Sequence, residues 1–158
     1  MTPGGRLRCK LRDSNSARHG TPPSATILPC AMPDEKPVYR PLPVYSDTEE
    51  VERTLRSGRW EDLMVLPLAL GNSWHDWKYA QSICLRLVDH ADAAIRANAC
   101  LGLAYVARTQ GRLEKHLVKP VLLRELRSNL EFRGRVQDAV DDINSFLRWR
   151  LGKASDTM

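Results

Sequence analysis

Aromatic side chains make up only 6% of this 158-residue chain, and its longest apolar run, the eight residues 63–70, contains Pro67. A helix needs about 20 apolar residues to cross a bilayer, so no membrane-spanning helix is expected. No secretory leader is expected either, because no apolar stretch follows the basic first residues before Pro22 and Pro23. Cys9, Cys30, Cys84 and Cys100 form neither a C-x-x-C pair nor a metal-type spacing, and they are too sparse for a disulfide-built secreted domain. The expected setting is reduced and cytoplasmic. No Gly-rich phosphate loop, no H-E-x-x-H and no recognisable Ser, His and acid set occurs. His75, His90 and His116 fall in separate segments without ligand spacing. The chain therefore reads as a non-enzyme, with no cofactor and no metal expected.

What is present is unevenly distributed. The formal charge is +5, yet Arg6, Arg8, Lys10, Arg12 and Arg18 against Asp13 alone place most of it in residues 1–31. The remainder is nearly neutral, which argues against a nucleic-acid partner for the folded part. Eight of the ten prolines lie in the first 43 residues. Such a segment has too little apolar surface to offset its ordering entropy, so residues 1–45 are expected to be a disordered Pro/Arg-rich tail, with 153–158 disordered as well. Residues 1–31 are also Arg-rich, Ser-containing and acid-poor, a composition shared by transit peptides. Met32 opens a polar M-P-D-E-K-P stretch, and the expectation is that translation starts there.

From Ser46 the chain becomes periodic. Ser46 and Asp47 with the following acids predict a helix over about 48–57, stopped by Gly58. A second helix is expected over about 60–69, kinked or delayed by Pro67 and ended by Gly71-Asn72. Ser73, with Asp76 three residues on, is the expected cap of a third helix whose inward stripe is Trp77, Ala80, Cys84, Leu87 and Val88. A fourth helix, about 92–109, directs Ile95, Ala99, Leu103 and Val106 inward. A fifth, about 113–128, directs Leu117, Val121, Leu122 and Leu126 inward, with Pro120 bending or delaying it. The sixth, about 133–150, carries Val136, Ala139, Val140, Ile143, Phe146 and Leu147. No segment alternates with period two long enough to be a strand.

The stretch D-A-A-I-R-A-N-A-C-L-G-L at 92–103 has a counterpart about 37 residues later: Ile95-Arg96 maps onto Phe132-Arg133, Ala99 onto Val136, Leu103 onto Val140 and Val106 onto Ile143. A recurrence of that length is the mark of stacked helical units. A helix, an Asp-containing turn (Asp89, Asp92), then an aliphatic-Arg pair followed by small residues resembles the HEAT repeat of armadillo-type proteins, in a short bacterial form. The copy at 85–103 is the clearest, and Pro120 matches the proline of a HEAT first helix. The second copy departs from the pattern, with Phe132-Arg133 in place of aliphatic-Arg and no Asp in the turn 128–131. The fold expected is all-α, a short right-handed α-solenoid of stacked antiparallel helix pairs with about six helices over 46–152.

That resemblance implies binding rather than chemistry, since stacked pairs expose a row of second helices, here 92–109 and 133–150, to macromolecular partners. Asp138, Asp141, Asp142, Arg148 and Trp149 are the candidate partner-binding residues. The acids share a helix face. Trp149 is a large aromatic beside Arg148 and Arg150, a pairing common at interface anchors. The plainer alternative is a solvated face with Arg135 and Arg148 pairing the acids, while Arg96 and Arg133 brace the turns. Cys84 and Cys100 read as buried small hydrophobes. The function expected is a non-catalytic module, monomeric or weakly oligomeric, that docks a protein, with immunity-type accessory proteins as the implied class. A nucleic-acid-binding HEAT-like protein is the alternative, and a HEAT-like enzyme comes third.

Overall fold

The computed structural model of the protein describes residues 38–152. The expected tail, its Met32 start, Cys9, Cys30 and the C-terminal segment 153–158 lie outside the described residues, apart from 38–45. The chain divides into two units between Arg40 and Pro41. In the first, Val38 and Tyr39 are exposed. The second contains six α-helices and, among the described residues, no strand: α1 (Thr48–Ser57), α2 (Trp60–Ser73), α3 (Trp77–Val88), α4 (Ala93–Gln110), α5 (Lys115–Ser128) and α6 (Arg133–Leu147). Among the described residues no helix is long and apolar enough to cross a membrane.

Local chemistry sets most helix ends. Asp47 accepts from the Glu50 N–H at 2.8 Å to open α1, and Gly58 closes it in the left-handed region. Asp92 accepts from the Ala94 and Ile95 N–H groups at 2.8 and 3.1 Å to open α4. The Ile95 N–H bond holds the Asp92 carboxyl below the ordinary aspartate range. Because the folded value is depressed, the stabilisation is complete above the ordinary range and is lost as pH falls through the folded value. At α3 the expected cap is corrected: Asp76, not Ser73, accepts from the Lys78 and Tyr79 N–H groups. Ser73 instead ends α2, its hydroxyl donating back to the Ala69 carbonyl.

α4 is the hub. It packs against α2 on one side and α6 on the other, with α3 and α5 also against it and α1 on α2. Its sequence suits this position: Ile95, Ala97, Ala99, Cys100, Leu103, Ala104, Val106 and Ala107 are all buried, and the small residues among them admit neighbours on several sides. Gly71 and Gly102 set the closest approach. A Cβ on Gly71 would lie 2.5 Å from the Gly102 carbonyl oxygen, and one on Gly102 would lie 2.6 Å from the Pro67 carbonyl oxygen. Gly71 is therefore a packing residue inside α2 rather than its stop, and α2 runs from Trp60 straight through Pro67 to Ser73.

Polar contacts repeat at nearly the spacing of the apolar ones. The Asn98 amide donates to the Met64 carbonyl and Thr109 to the Gly71 carbonyl, 34 and 38 residues back. Arg135 donates to Asn98 Oδ1 and Asn129 to the Ala93 carbonyl, 37 and 36 residues back. Each bond ties a helix or turn to an earlier helix, α4 to α2, or the start of α6 and the turn before it to α4. The matched positions Ala99 and Val136, Leu103 and Val140, and Val106 and Ile143 are all buried.

Around Glu125 these contacts become a network. Glu125 is 2% exposed, and its carboxylate accepts from Arg96 Nε (3.1 Å), Arg124 Nε (3.4 Å) and Asn129 Nδ2 (3.3 Å). Arg96 also donates to the His90 and Ala91 carbonyls, so it braces the α3–α4 turn as expected. The same network corrects the inward face of α5. Val118, Leu122, Glu125 and Leu126 are buried, whereas Leu117 is 42% exposed. In the turn without Asp, Asn129 is buried and accepts from the Phe132 N–H. Arg133 at the start of α6 is exposed rather than bracing.

Candidate interaction groove

Three helix ends converge, the start of α3 and the ends of α4 and α6. α3 begins with Trp77 directly after its Asp76 cap. α4 closes on Gly111 in the left-handed region (φ 65°), which turns the chain into Arg112 and Leu113. α6 ends at Leu147 rather than near 150, because Arg148 itself takes the left-handed conformation (φ 55°). Beyond it the Asn144 side chain grips Leu151 twice, accepting from its N–H at 2.8 Å and donating to its carbonyl at 3.0 Å. Leu151 is thereby buried, 2% exposed, and the intervening residues are held in a tight hook.

Trp77, Arg112, Leu113, Phe146, Arg148 and Trp149 line the open groove of about 490 Å³ so formed. Its floor is aromatic and its rim cationic. Phe146 is 49% exposed, a correction to its expected inward position, and it is Leu147, one residue on, that packs against the core. Lys115 Nζ lies 5.5 Å from the Trp149 ring centroid, and Lys78 Nζ lies 5.5 Å from that of Trp77, both within cation–π range. Among the described residues, none of Lys78, Arg112, Lys115 and Arg148 has a carboxylate within ion-pair distance. The nearby acids are occupied: Glu114 Oε2 accepts from buried Gln81 at 2.7 Å, and Asp76 caps α3.

Arg148 is the only non-glycine described residue with positive φ. That conformation costs an L-residue roughly 1–2 kcal/mol, and glycine avoids it at some cost in chain entropy. Arg148→Gly is accordingly expected to stabilise the fold by about 0.5–1 kcal/mol, seen as a higher thermal midpoint.

Of the residues anticipated from sequence, the structure brings only Arg148 and Trp149 into this groove. Asp138 and Asp141 are exposed along the body of α6 and Asp142 is half-buried. The pairing expected of Arg135 with these acids is replaced by its bond to Asn98 and its stacking over Phe132, 5.1 Å from the ring centroid. Asp141 accepts from Gln137. No three His, Cys, Asp or Glu side chains among the described residues converge on a position that could hold a metal ion. Trp77, expected inward, packs on the core and also lines the groove. Trp74, expected at an edge, is buried at 7% exposure and stacks on His75. Arg112, Leu113 and Phe146 escaped the sequence as groove residues, and Lys78 and Lys115 as cations against its tryptophans, since no spacing links them.

Cys84 and Cys100 are fully buried, as their helical phase predicts. Burial pushes both thiols up, Cys100 to about 12, which suppresses the thiolate near neutral pH.

The protein is thus an all-α assembly of packed helices with an aromatic, cationic groove where three helix ends meet. No known family model matches the chain, and neither does any curated protein. Its fold is similar to a chain in the crystal structure of a CDI complex from Cupriavidus taiwanensis LMG 19424, with a TM-score of 0.60 at 21% identity. The likeness covers 68% of this chain and 96% of that one.

Proposed function

We propose that the protein is a non-catalytic binding module, a short HEAT-like helical scaffold of immunity type, that docks a protein partner. The observation that carries this proposal is the groove at 77, 111–113 and 146–149, where four cations without carboxylate partners among the described residues stand beside exposed aromatic surface. Aromatic and arginine side chains are the groups most enriched at binding hot spots. Among the described residues, the groove lining contains no acid, histidine, serine or cysteine that would serve as a general base or nucleophile. Polar bonds recurring at 34–38 residues support the HEAT-like stacking. That the similar fold was solved within a complex supports a partner-bound role.

Capture from native lysate on the immobilised full chain tests the proposal. A partner retained by the native chain is expected to be lost with Trp149→Ala and kept with Asp141→Asn combined with Asp142→Asn. Retention by the Trp149 variant, with loss on changing the two aspartates, moves docking to the α6 face.

A further inference from the structure

Resting on that docking role, we infer that the groove takes an acidic peptide segment of the partner protein. Its carboxylates meet Arg112, Arg148 and Lys115, and one large apolar side chain lies against Phe146 and Trp149. Charge complementarity carries this inference. The cationic rim has no carboxylate partner within the described residues, and Asp76 and Glu114, the acids next in sequence to Trp77 and Lys115, are already bonded to backbone or inward. An arginine presents a planar fork that matches a carboxylate with two parallel bonds, so Arg112 and Arg148 supply orientation as well as charge. A volume of about 490 Å³ falls within the range of pockets that accept one large group.

Cations and aromatic rings also make platforms for single-stranded nucleic acid. The surroundings favour the peptide. Asp142 precedes Arg148 by six residues, roughly 9 Å along a helix axis, which is about one Debye length at physiological salt. Asp138 and Asp141 extend that negative stretch along α6. A phosphate chain leaving the groove along α6 would carry its next charges over carboxylates, whereas a peptide can confine its acids to a few residues. Arg148 adds a second argument: it holds a backbone conformation that glycine would hold with less strain, and the hook it forms projects a guanidinium beside Trp149.

Selection of a random peptide display library on the immobilised full chain tests this, followed by synthesis and titration of the enriched peptides. Enriched sequences are expected to carry several Asp or Glu around a Leu, Phe or Trp, and to bind more weakly as salt rises. Arg112→Glu and Arg148→Gly are each expected to weaken binding about tenfold, and Trp149→Ala by at least that factor, while Asp141→Asn leaves it within about twofold. Arg148→Gly also melts higher than the native chain, so weaker binding by this variant cannot come from unfolding. Enriched peptides that are neutral or basic and indifferent to Arg112→Glu overturn the acidic partner and leave protein docking standing. A polythymidine oligonucleotide that displaces the acidic peptide at equal or lower concentration assigns the groove to nucleic acid instead. Enrichment no greater than on the Trp149→Ala chain overturns docking at the groove altogether.

Discussion

Glu125→Ala is expected to destabilise the protein by about 3 kcal/mol, measured as a lower urea midpoint with an unchanged slope. The carboxylate is 2% exposed and is held by Arg96, Arg124 and Asn129, groups drawn from α4, α5 and the turn before α6. Removing it leaves the partly buried Arg96 guanidinium, whose side chain is 21% exposed, without its carboxylate. Breaking a buried pair in this way costs about 3–5 kcal/mol, and the lower end applies because Arg96 keeps the His90 and Ala91 carbonyls. Arg124 loses less, since it is bonded to Asp89 at 2.9 Å near solvent. Arg96→Met combined with Glu125→Leu should cost less than the two single changes added together, because an apolar pair leaves no charge stranded. Strict additivity in that cycle would mean the two side chains do not depend on each other.

Gly102→Ala is expected to cost about 2 kcal/mol or more, although alanine is the better helix former by about 1 kcal/mol. The new methyl would stand 2.6 Å from the Pro67 carbonyl oxygen, 2.7 Å from Pro67 Cβ and 2.8 Å from Cys84 Sγ. Two of these neighbours belong to a proline inside a helix and the third is a fully buried thiol, so none is the loose end of a flexible side chain. Relief requires α2 and α4 to move apart along their shared face, reducing packing well beyond the site itself. Gly134→Ala provides the opposite sign. Position 134 lies in α6, and a Cβ there would meet nothing within 4 Å, so the same substitution should stabilise by up to about 1 kcal/mol. Thermal melts of the two variants should move in opposite directions; a Gly102→Ala protein as stable as the native one would show that the α2–α4 approach is not tight.

The residues that misled the sequence-based expectations share a cause: each is decided by a neighbour distant in the chain. Leu117 looked inward because Glu125, being charged, was not counted as a core position, whereas Val121 does pack, partly buried, against the core. Once Arg96 supplies its partner, the buried register of α5 becomes Val118, Leu122, Glu125 and Leu126. Gly71 looked like a helix stop because glycine usually is one, until Gly102 approaches it from α4. Phe146 looked inward because it stands three residues after buried Ile143, but it is Leu147, one residue on, that packs against the core and the Phe146 ring is half exposed. In the candidate site, Arg148 and Trp149 were legible as an aromatic-arginine pair. Trp77 and Arg112 were not, lying 72 and 37 positions before Trp149 in the sequence.

What the amino-acid order determined alone was local. Six runs of apolar residues at helical spacing, and the capping aspartates Asp47 and Asp92, specify helices because hydrogen bonds and side-chain phase act within a few residues. The recurrence at about 37 residues likewise anticipated which positions would be buried together. Tertiary structure decided which glycines touch, which carboxylate has a buried partner, and which charges are left without one at the surface. Those outcomes depend on distances between segments, and an interaction that falls off over a few ångströms has no signature in separation along the chain. The groove is of that kind: Trp77, Arg112 and Trp149 become one surface only where the ends of α3, α4 and α6 meet.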